Sequence, residues 1–178
     1  LNTLWMDNIE RTRAGQRKIR RFIDWLVRVD TDSVTVANPY LLQLVKKCYL
    51  KLEATVSVIA DVDSLNKVKF WEDLGADQIT LSFMTVNRNF RLLSEIRKHT
   101  ACRLQLIANS VCLYNNPFCL HNFLWTNHAS KSRGIFQQPF LLYYTSLCNY
   151  YRFQEPYRFI SSPWIRPEDI VYYEELGI

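Results

Sequence analysis

Two hydrophobic periods alternate through the first part of the chain. Short β-branched or alternating runs occur at Ser33–Ala37, Ala54–Ala60, Gln78–Ser82 and Arg103–Ala108, each bounded by polar or turn-forming residues, the pattern of a buried strand. Between them the apolar positions recur every three or four residues. Arg17–Val29 places Ile19, Phe22, Ile23, Leu26 and Val27 on one helical face, and Asn38–Pro39 supplies a side-chain cap followed by a first-turn proline. Asp63–Leu74 carries Leu65, Val68, Trp71 and Leu74 on one stripe and stops at Gly75, with Asp63 expected as the cap. Asn87–His99 repeats the pattern with Phe90, Leu93 and Ile96, and its basic end suits the negative pole of a helix.

Strand starts at 33, 54, 78 and 103 are spaced by 21 to 25 residues, so a βα unit repeats, and that repeat builds a parallel sheet with helical crossovers. A doubly wound sheet and a (β/α)8 barrel both satisfy it. No glycine-rich phosphate loop follows any of the strands, which weakens dinucleotide binding. A full barrel needs about 250 residues. The chain has 178 and offers six strand candidates, counting Leu1–Met6 and Tyr157–Ser161. The expectation is α/β: a partial (β/α)8 TIM-type barrel over residues 1–178, with N- and C-terminal strands missing, as the absent initiating Met also suggests. From 109 to 154 the periods dissolve into an irregular segment rich in cysteine, histidine and aromatics. It follows a strand directly, and loops at the C-terminal ends of barrel strands build active sites.

Composition changes this picture little. Apolar residues make up 48% and charged residues 22%, the balance of a globular domain. No apolar run approaches the roughly 20 residues of a membrane span, and Leu1–Glu10 does not read as a signal peptide; a soluble cytoplasmic protein is the expectation. The net charge of +5 draws on Arg17, Lys18, Arg20 and Arg21 in the first helix, a stripe that reads most simply as a solvated face and that also permits phosphate contacts.

Five cysteines carry the candidate chemistry. Cys48, on a helix, and Cys102, at a strand entrance, read as small buried hydrophobes. Cys112, Cys119 and Cys148 all fall in the irregular segment, where three thiolates at one pole suit a soft metal or an iron–sulfur cluster, although their spacing matches no paired motif. His121 and His128 lie in the same segment as candidate ligands or bases, and Asp61, Arg88 and Asn109 stand just beyond strand ends as pocket candidates. Asn38 and Ser82 share that placement. There is no nucleophile elbow, HExxH or P-loop.

The stretches VDSLNKVKFWEDLGADQITLSF, NRNFRLLSEIRK, LQLIANSVCLYNNPF and SPWIRPEDIVYYEELGI resemble the collagenase-like peptidase family, number thirty-two among peptidases of unknown catalytic type, from about Arg13 to Ile178. The resemblance implies a (β/α) barrel. It also implies either proteolysis or, in one branch, oxygen-independent hydroxylation of RNA bases or quinone precursors with a 4Fe-4S cluster on four cysteines and a partner subunit of the same family. On that pattern Cys112 and Cys148 match two ligands, Cys119 is the candidate third, Asn116 occupies a place where relatives carry cysteine, and no fourth ligand is marked. Three functions follow as expectations: an iron–sulfur modifying enzyme, a peptidase, and a non-catalytic RNA-binding or scaffold subunit. The last would use the basic helix and aromatics such as Tyr114, Phe118, Tyr144 and Tyr151 to pair phosphates and stack bases.

Overall fold

The computed structural model describes residues 1–110, 112–114, 116–129 and 143–178. Four strands, β1 (Ser33–Val36), β2 (Glu53–Val56), β3 (Gln78–Thr80) and β4 (Arg103–Gln105), form one parallel sheet in the order of the sequence. Four helices alternate with them: α1 (Arg13–Arg28) precedes β1, and α2 (Pro39–Cys48), α3 (Leu65–Asp73) and α4 (Phe90–His99) connect the strands in turn. Crossovers between parallel strands are right-handed almost without exception, so an unbroken strand order puts the connecting helices on one side.

The register makes the two faces of the sheet opposite in character. Val36, Val56, Ile79 and Leu104 stand side by side in one row, all buried. They join a single apolar cluster with Ile23 of α1, Leu42 and Val45 of α2, Trp71 of α3, and Leu93 and Ile96 of α4. The neighbouring row, Thr35, Thr55, Gln78 and Arg103, is polar throughout. The polar face is cross-linked in two rows: Thr55 Oγ1 donates to Gln78 Oε1 at 3.2 Å, and in the row beyond it Thr80 Oγ1 donates to Gln105 Oε1 at 2.8 Å. Parallel sheets usually bury both faces under apolar side chains; this one buries only its helical face that way.

Local chemistry explains most element ends. Asn38 caps α2 by accepting the Tyr40 N–H at 2.9 Å, with Pro39 in the first turn. Asn89 caps α4 through the Leu92 N–H at 3.1 Å. Gly75, at a φ of 95°, closes the turn after α3 in the left-handed region that a side chain would strain.

Several expectations are corrected. Leu1–Met6 is not a strand. Tyr157–Ser161 falls almost wholly in the helix α7 (Pro156–Ile160), because Pro156 in the first turn favours helix over the β-propensity of the residues behind it. The tail of the second predicted strand, Val58–Ala60, is a 3-10 turn started by Ser57 Oγ accepting from the Ile59 N–H at 3.3 Å. Asp63 does not cap α3; Ser64 holds that position, while Asp63 pairs with Lys67 at 3.0 Å. The segment 109–154, expected to be irregular, carries α5 (Cys119–Ala129) and α6 (Tyr143–Gln154); residues 111, 115 and 130–142 of it lie outside the described residues. The chain closes with α8 (Ile170–Glu175).

Candidate functional site

The C-terminal ends of the strands and the segments leaving them gather the polar groups that the fold does not consume. Cys112, in the segment after β4, and Cys119, the first residue of α5, act on each other's ionisation. The Cys119 side chain favours the thiolate of Cys112, pushing it below the ordinary thiol range, with help from Ser110 and the positive charge of Arg152. Cys119 is pushed the opposite way, first by the Cys112 side chain and then by burial, with the charges of Cys148 and Asp61 adding to the effect. Cys148, on α6, accepts from Asn116 Nδ2 at 3.0 Å, and Asn116 Oδ1 accepts the Phe118 N–H at 3.0 Å. The three thiols therefore occupy one neighbourhood: Cys112 and Cys119 act on each other, Cys148 acts on Cys119, and Cys148 is held through an asparagine. Among the described residues no three Cys, His, Asp or Glu side chains draw close enough to hold an ion.

The remaining candidates divide. Asp61, in a left-handed turn after β2, faces Lys67 and lies within electrostatic reach of Cys119. Asn109 is exposed. His121 is exposed and stacks on Tyr144 with ring centres 5.9 Å apart, so its ring serves an aromatic cluster rather than the thiols. His128 lies on α5, with its side chain outside the described residues. Cys102 is buried as expected, donating to the Ala76 carbonyl at 3.0 Å, and its thiol is pushed up by burial. Cys48 is exposed, a correction: the last residue of α2 turns outward, and Arg20 Nη1 donates to its sulfur at 3.2 Å. Arg17, Lys18, Arg20 and Arg21 all face solvent on α1. The aromatics of the later helices pair chiefly with one another, Phe118 lying parallel to Tyr151 at 5.9 Å.

Arg88 belongs to a second constellation that sequence reasoning found only in part. Its Nη1 donates to the Trp164 carbonyl at 2.7 Å and to Asp169 Oδ2 at 3.0 Å. Arg166 grips the same carboxylate with two parallel bonds, Nε to Oδ2 at 3.0 Å and Nη2 to Oδ1 at 2.9 Å. Next to Arg88, the fully buried Asn87 donates to the carbonyls of Ile107 (2.8 Å) and Pro163 (3.1 Å), and its own carbonyl accepts from Tyr173 Oη at 2.6 Å. The segment Ser162–Asp169 is thus docked onto the loop after β3. Ser162 Oγ donates to the Cys112 carbonyl at 2.6 Å, which links this constellation to the thiols. Arg166 and Asp169 were legible only as members of a resembling block; an Arg-Pro-Glu-Asp run carries its own local signal, since three residues separate the ionic partners on one turn.

Arg166 first, and then Arg88, hold the Asp169 carboxyl down at about 2, against an ordinary 3.8. A carboxylate depressed in the folded state contributes stability that is complete above the ordinary carboxylate range and disappears as pH falls from about 4 towards 2. The unfolding midpoint of Asp169→Asn is therefore expected to lie below that of the unaltered chain at neutral pH, and the two midpoints should converge as the pH approaches 2. Thermal melts across that range check it, and a gap that persists at the acid end contradicts it. Glu72, held at about 2 chiefly by Lys69, titrates in the same window and is common to both proteins.

Among the described residues no helix is long and apolar enough to cross a membrane. The sequence profile of Peptidase family U32 matches residues 6–175. An uncharacterized protease of Methanocaldococcus jannaschii, MJ1657, is 38% identical over 159 residues, covering 87% of this chain and 46% of that protein. The solved structure of the U32 peptidase Mk0906 superposes with a TM-score of 0.66 at 24% identity, over 76% of this chain and 57% of that one, a likeness of fold. The chain spans about half the length of these relatives. With the profile covering nearly all of it, the chain belongs to peptidase family U32.

Proposed function

We propose that this chain is the cysteine-bearing part of a barrel enzyme that modifies its substrate with a thiolate-bound iron–sulfur centre, held by Cys112, Cys119 and Cys148. The observation that carries the reading is the shared neighbourhood of these three free thiols, two of them acting on each other's ionisation and the third held by Asn116. The donors fit such a centre in kind: soft sulfur, one sulfur already favoured as thiolate, and Arg152 placed to offset negative charge. In number they fall short, and the fourth ligand has no candidate among the described residues. Asn116, where the resembling family carries cysteine, touches Cys148, so that position is at the thiol pole in space as well as in sequence. When bound, such a centre supplies one-electron chemistry; the chain's own groups exclude water around Cys119 and fix Cys148 through Asn116. Oxygen-independent hydroxylation of an RNA base or a quinone precursor, alongside a partner subunit of the same family, is the activity this reading takes from the resemblance. Five unpaired cysteines favour a reducing compartment, the cytoplasm.

The same reading takes the sheet as one arc of a (β/α)8 barrel. Consecutive strand order and connecting helices on one face support it. The polar row that the helices leave uncovered supports it too, because it would line the interior.

Protein prepared without oxygen is expected to absorb in the visible and to contain iron, with Cys112→Ser or Cys148→Ser abolishing both and Cys48→Ser preserving both. Iron-free, colourless protein from such a preparation ends the reading. A second reading follows from the names of the relatives, which are called proteases or peptidases. Cys112, with its thiolate favoured, is then the nucleophile. Metal-independent peptide cleavage lost in Cys112→Ala and retained in Cys148→Ala would establish it in place of the first.

A further inference from the structure

The guanidiniums of Arg88 and Arg166 border a cavity of about 700 Å3 whose other walls are Phe159, Ile160, Trp164 and the backbone turn at Ser162. This size suits a small ligand. The lining divides sharply by chemistry. Phe159 and Trp164 meet edge to face with ring centres 5.4 Å apart, and Trp164 Nε1 donates to the Phe159 carbonyl at 3.3 Å, so the indole plane is fixed. Both serine hydroxyls point their hydrogens elsewhere: Ser161 to the Arg158 carbonyl and Ser162 to the Cys112 carbonyl. The hydrogen-bond donors left for a ligand are those of the arginines.

Two guanidiniums share one carboxylate, so the hydrogen-bonded trio of Arg88, Arg166 and Asp169 carries a single positive charge, which the exposed Glu168, acting on Arg166 without a hydrogen bond to it, offsets through solvent. Asp169 engages Arg88 only through Nη1 and Arg166 only through Nε and Nη2. Arg88 Nη2 and Nε and Arg166 Nη1 have no acceptor among the described residues. Both side chains reach solvent, 44% and 65% exposed, while Asp169 is 9% exposed, so the carboxylate acts as a buried anchor that aims two forks outward. A guanidinium fork held in place loses little freedom when it takes a planar or tetrahedral anion.

We propose that this cavity binds a ligand carrying an anionic group on a planar aromatic body, with the anion on Arg88 and Arg166 and the ring against Trp164 and Phe159. The site does not depend on the iron–sulfur reading, although Ser162 ties its floor to the Cys112 backbone carbonyl. Phosphate on a nucleoside and carboxylate on a simple arene share this chemistry.

Adenosine 5′-monophosphate and benzoate distinguish the two sources, with adenosine and benzamide as uncharged counterparts, titrated into the full chain with tryptophan fluorescence and ligand-observed NMR as readouts. Saturable binding of either anion supports the site and names its source; binding of neither by low-millimolar concentration overturns it, as does equal binding of the uncharged counterparts. Arg166→Gln leaves Asp169 paired with Arg88, so it should lower the unfolding midpoint by less than Asp169→Asn does and should weaken the anion at least tenfold when measured well below that midpoint, and Trp164→Leu should weaken the aromatic anion while sparing inorganic phosphate. Undiminished affinity in Arg166→Gln overturns the assignment. If that variant does not fold, salt decides with the unaltered chain: binding that falls as ionic strength rises supports the arginine site, and salt-independent binding overturns it.

Discussion

Asp77→Ala is expected to lower stability by about 2–4 kcal/mol, a large part of the roughly 5–15 kcal/mol that typically separates folded from unfolded chains. Asp77 stands immediately before β3, and its carboxylate accepts the Ala54 N–H at 2.7 Å and Lys46 Nζ at 2.8 and 3.0 Å. Its backbone completes the same junction, with Asp77 N–H donating to the Ala54 carbonyl and its carbonyl accepting from Arg103. One residue thus joins α2, β2, β3 and β4 at the N-terminal end of the sheet. Alanine would leave the amide of the fully buried Ala54 without an acceptor, and an unpaired buried donor costs about 1–3 kcal/mol before the charge-assisted bond to Lys46 is counted. Asp77→Asn keeps a carbonyl oxygen for Ala54 and gives up only the ion pair, so it should cost less than half as much. Equilibrium unfolding in urea checks both. Equal losses would mean that the ion pair, not the buried amide, sets the cost. Asp77 precedes β3 and Arg88 follows it, at the other end of the sheet, so Asp77→Ala is expected to leave anion binding in the Arg88–Arg166 cavity intact at temperatures where it stays folded.

The parallel βα repeat was legible because each element carried its own period and its own stop. The β-branched runs at Ser33, Ala54, Gln78 and Arg103 all became strands, and Asn38 and Gly75 ended or began helices as their backbone chemistry requires. What misled was propensity without context. Tyr157–Ser161 has the aromatic and β-branched content of a strand, yet a short helix opened by Pro156 costs less there than an isolated strand with no partner to pair with. The third and fourth strands end at Thr80 and Gln105, earlier than their apolar runs suggest: Leu81 and Ser82 keep an isolated bridge to Val62, and the residues after Gln105 leave the ladder for the following loop.

The site was legible by residue type and hidden in its pairing. Cysteine after a strand end marked the neighbourhood that Cys112, Cys119 and Cys148 share, but nothing in a spacing of seven positions says that Cys112 and Cys119 will be pushed in opposite directions by each other. Cys48 was misjudged because a helix face predicted from period alone does not include the final residue, where the helix unwinds and Arg20 draws the thiol outward. Arg166 and Asp169 were invisible as a site because their partner, Arg88, lies 81 positions from Asp169. Contacts of that separation follow from the docking of Ser162–Asp169 onto the loop after β3, which no local pattern encodes.

That docking turns on Asn87, and Asn87→Ala is expected to cost about 2–4 kcal/mol. The side chain is fully buried and spends both amide hydrogens on carbonyls of different segments, Ile107 after β4 and Pro163 before Trp164. Its own Oδ1 has no donor among the described residues, so the amide already bears one desolvated oxygen and its net worth lies wholly in those two donated bonds. Asn87→Asp sharpens the test, because it exchanges one nitrogen for oxygen, leaving a single donor as the acid and none as the carboxylate. An ionised carboxylate would face two carbonyl oxygens, so the folded state favours the protonated acid, and the folded pKa rises above the unfolded value. The stability retained by Asn87→Asp should then be greatest in acid and fall as pH rises through the raised pKa, opposite in sign to the Asp169 dependence. With Pro163 released, the segment Ser162–Asp169 loses its tether, while Arg88 keeps its bond to Asp169. Amide exchange should accelerate there before it does in β1 to β3, and anion binding in the Arg88–Arg166 cavity should weaken in step. A variant that exchanges uniformly across the sheet and this segment would mean that Asn87 supports the whole core, and not the clasp between two loops.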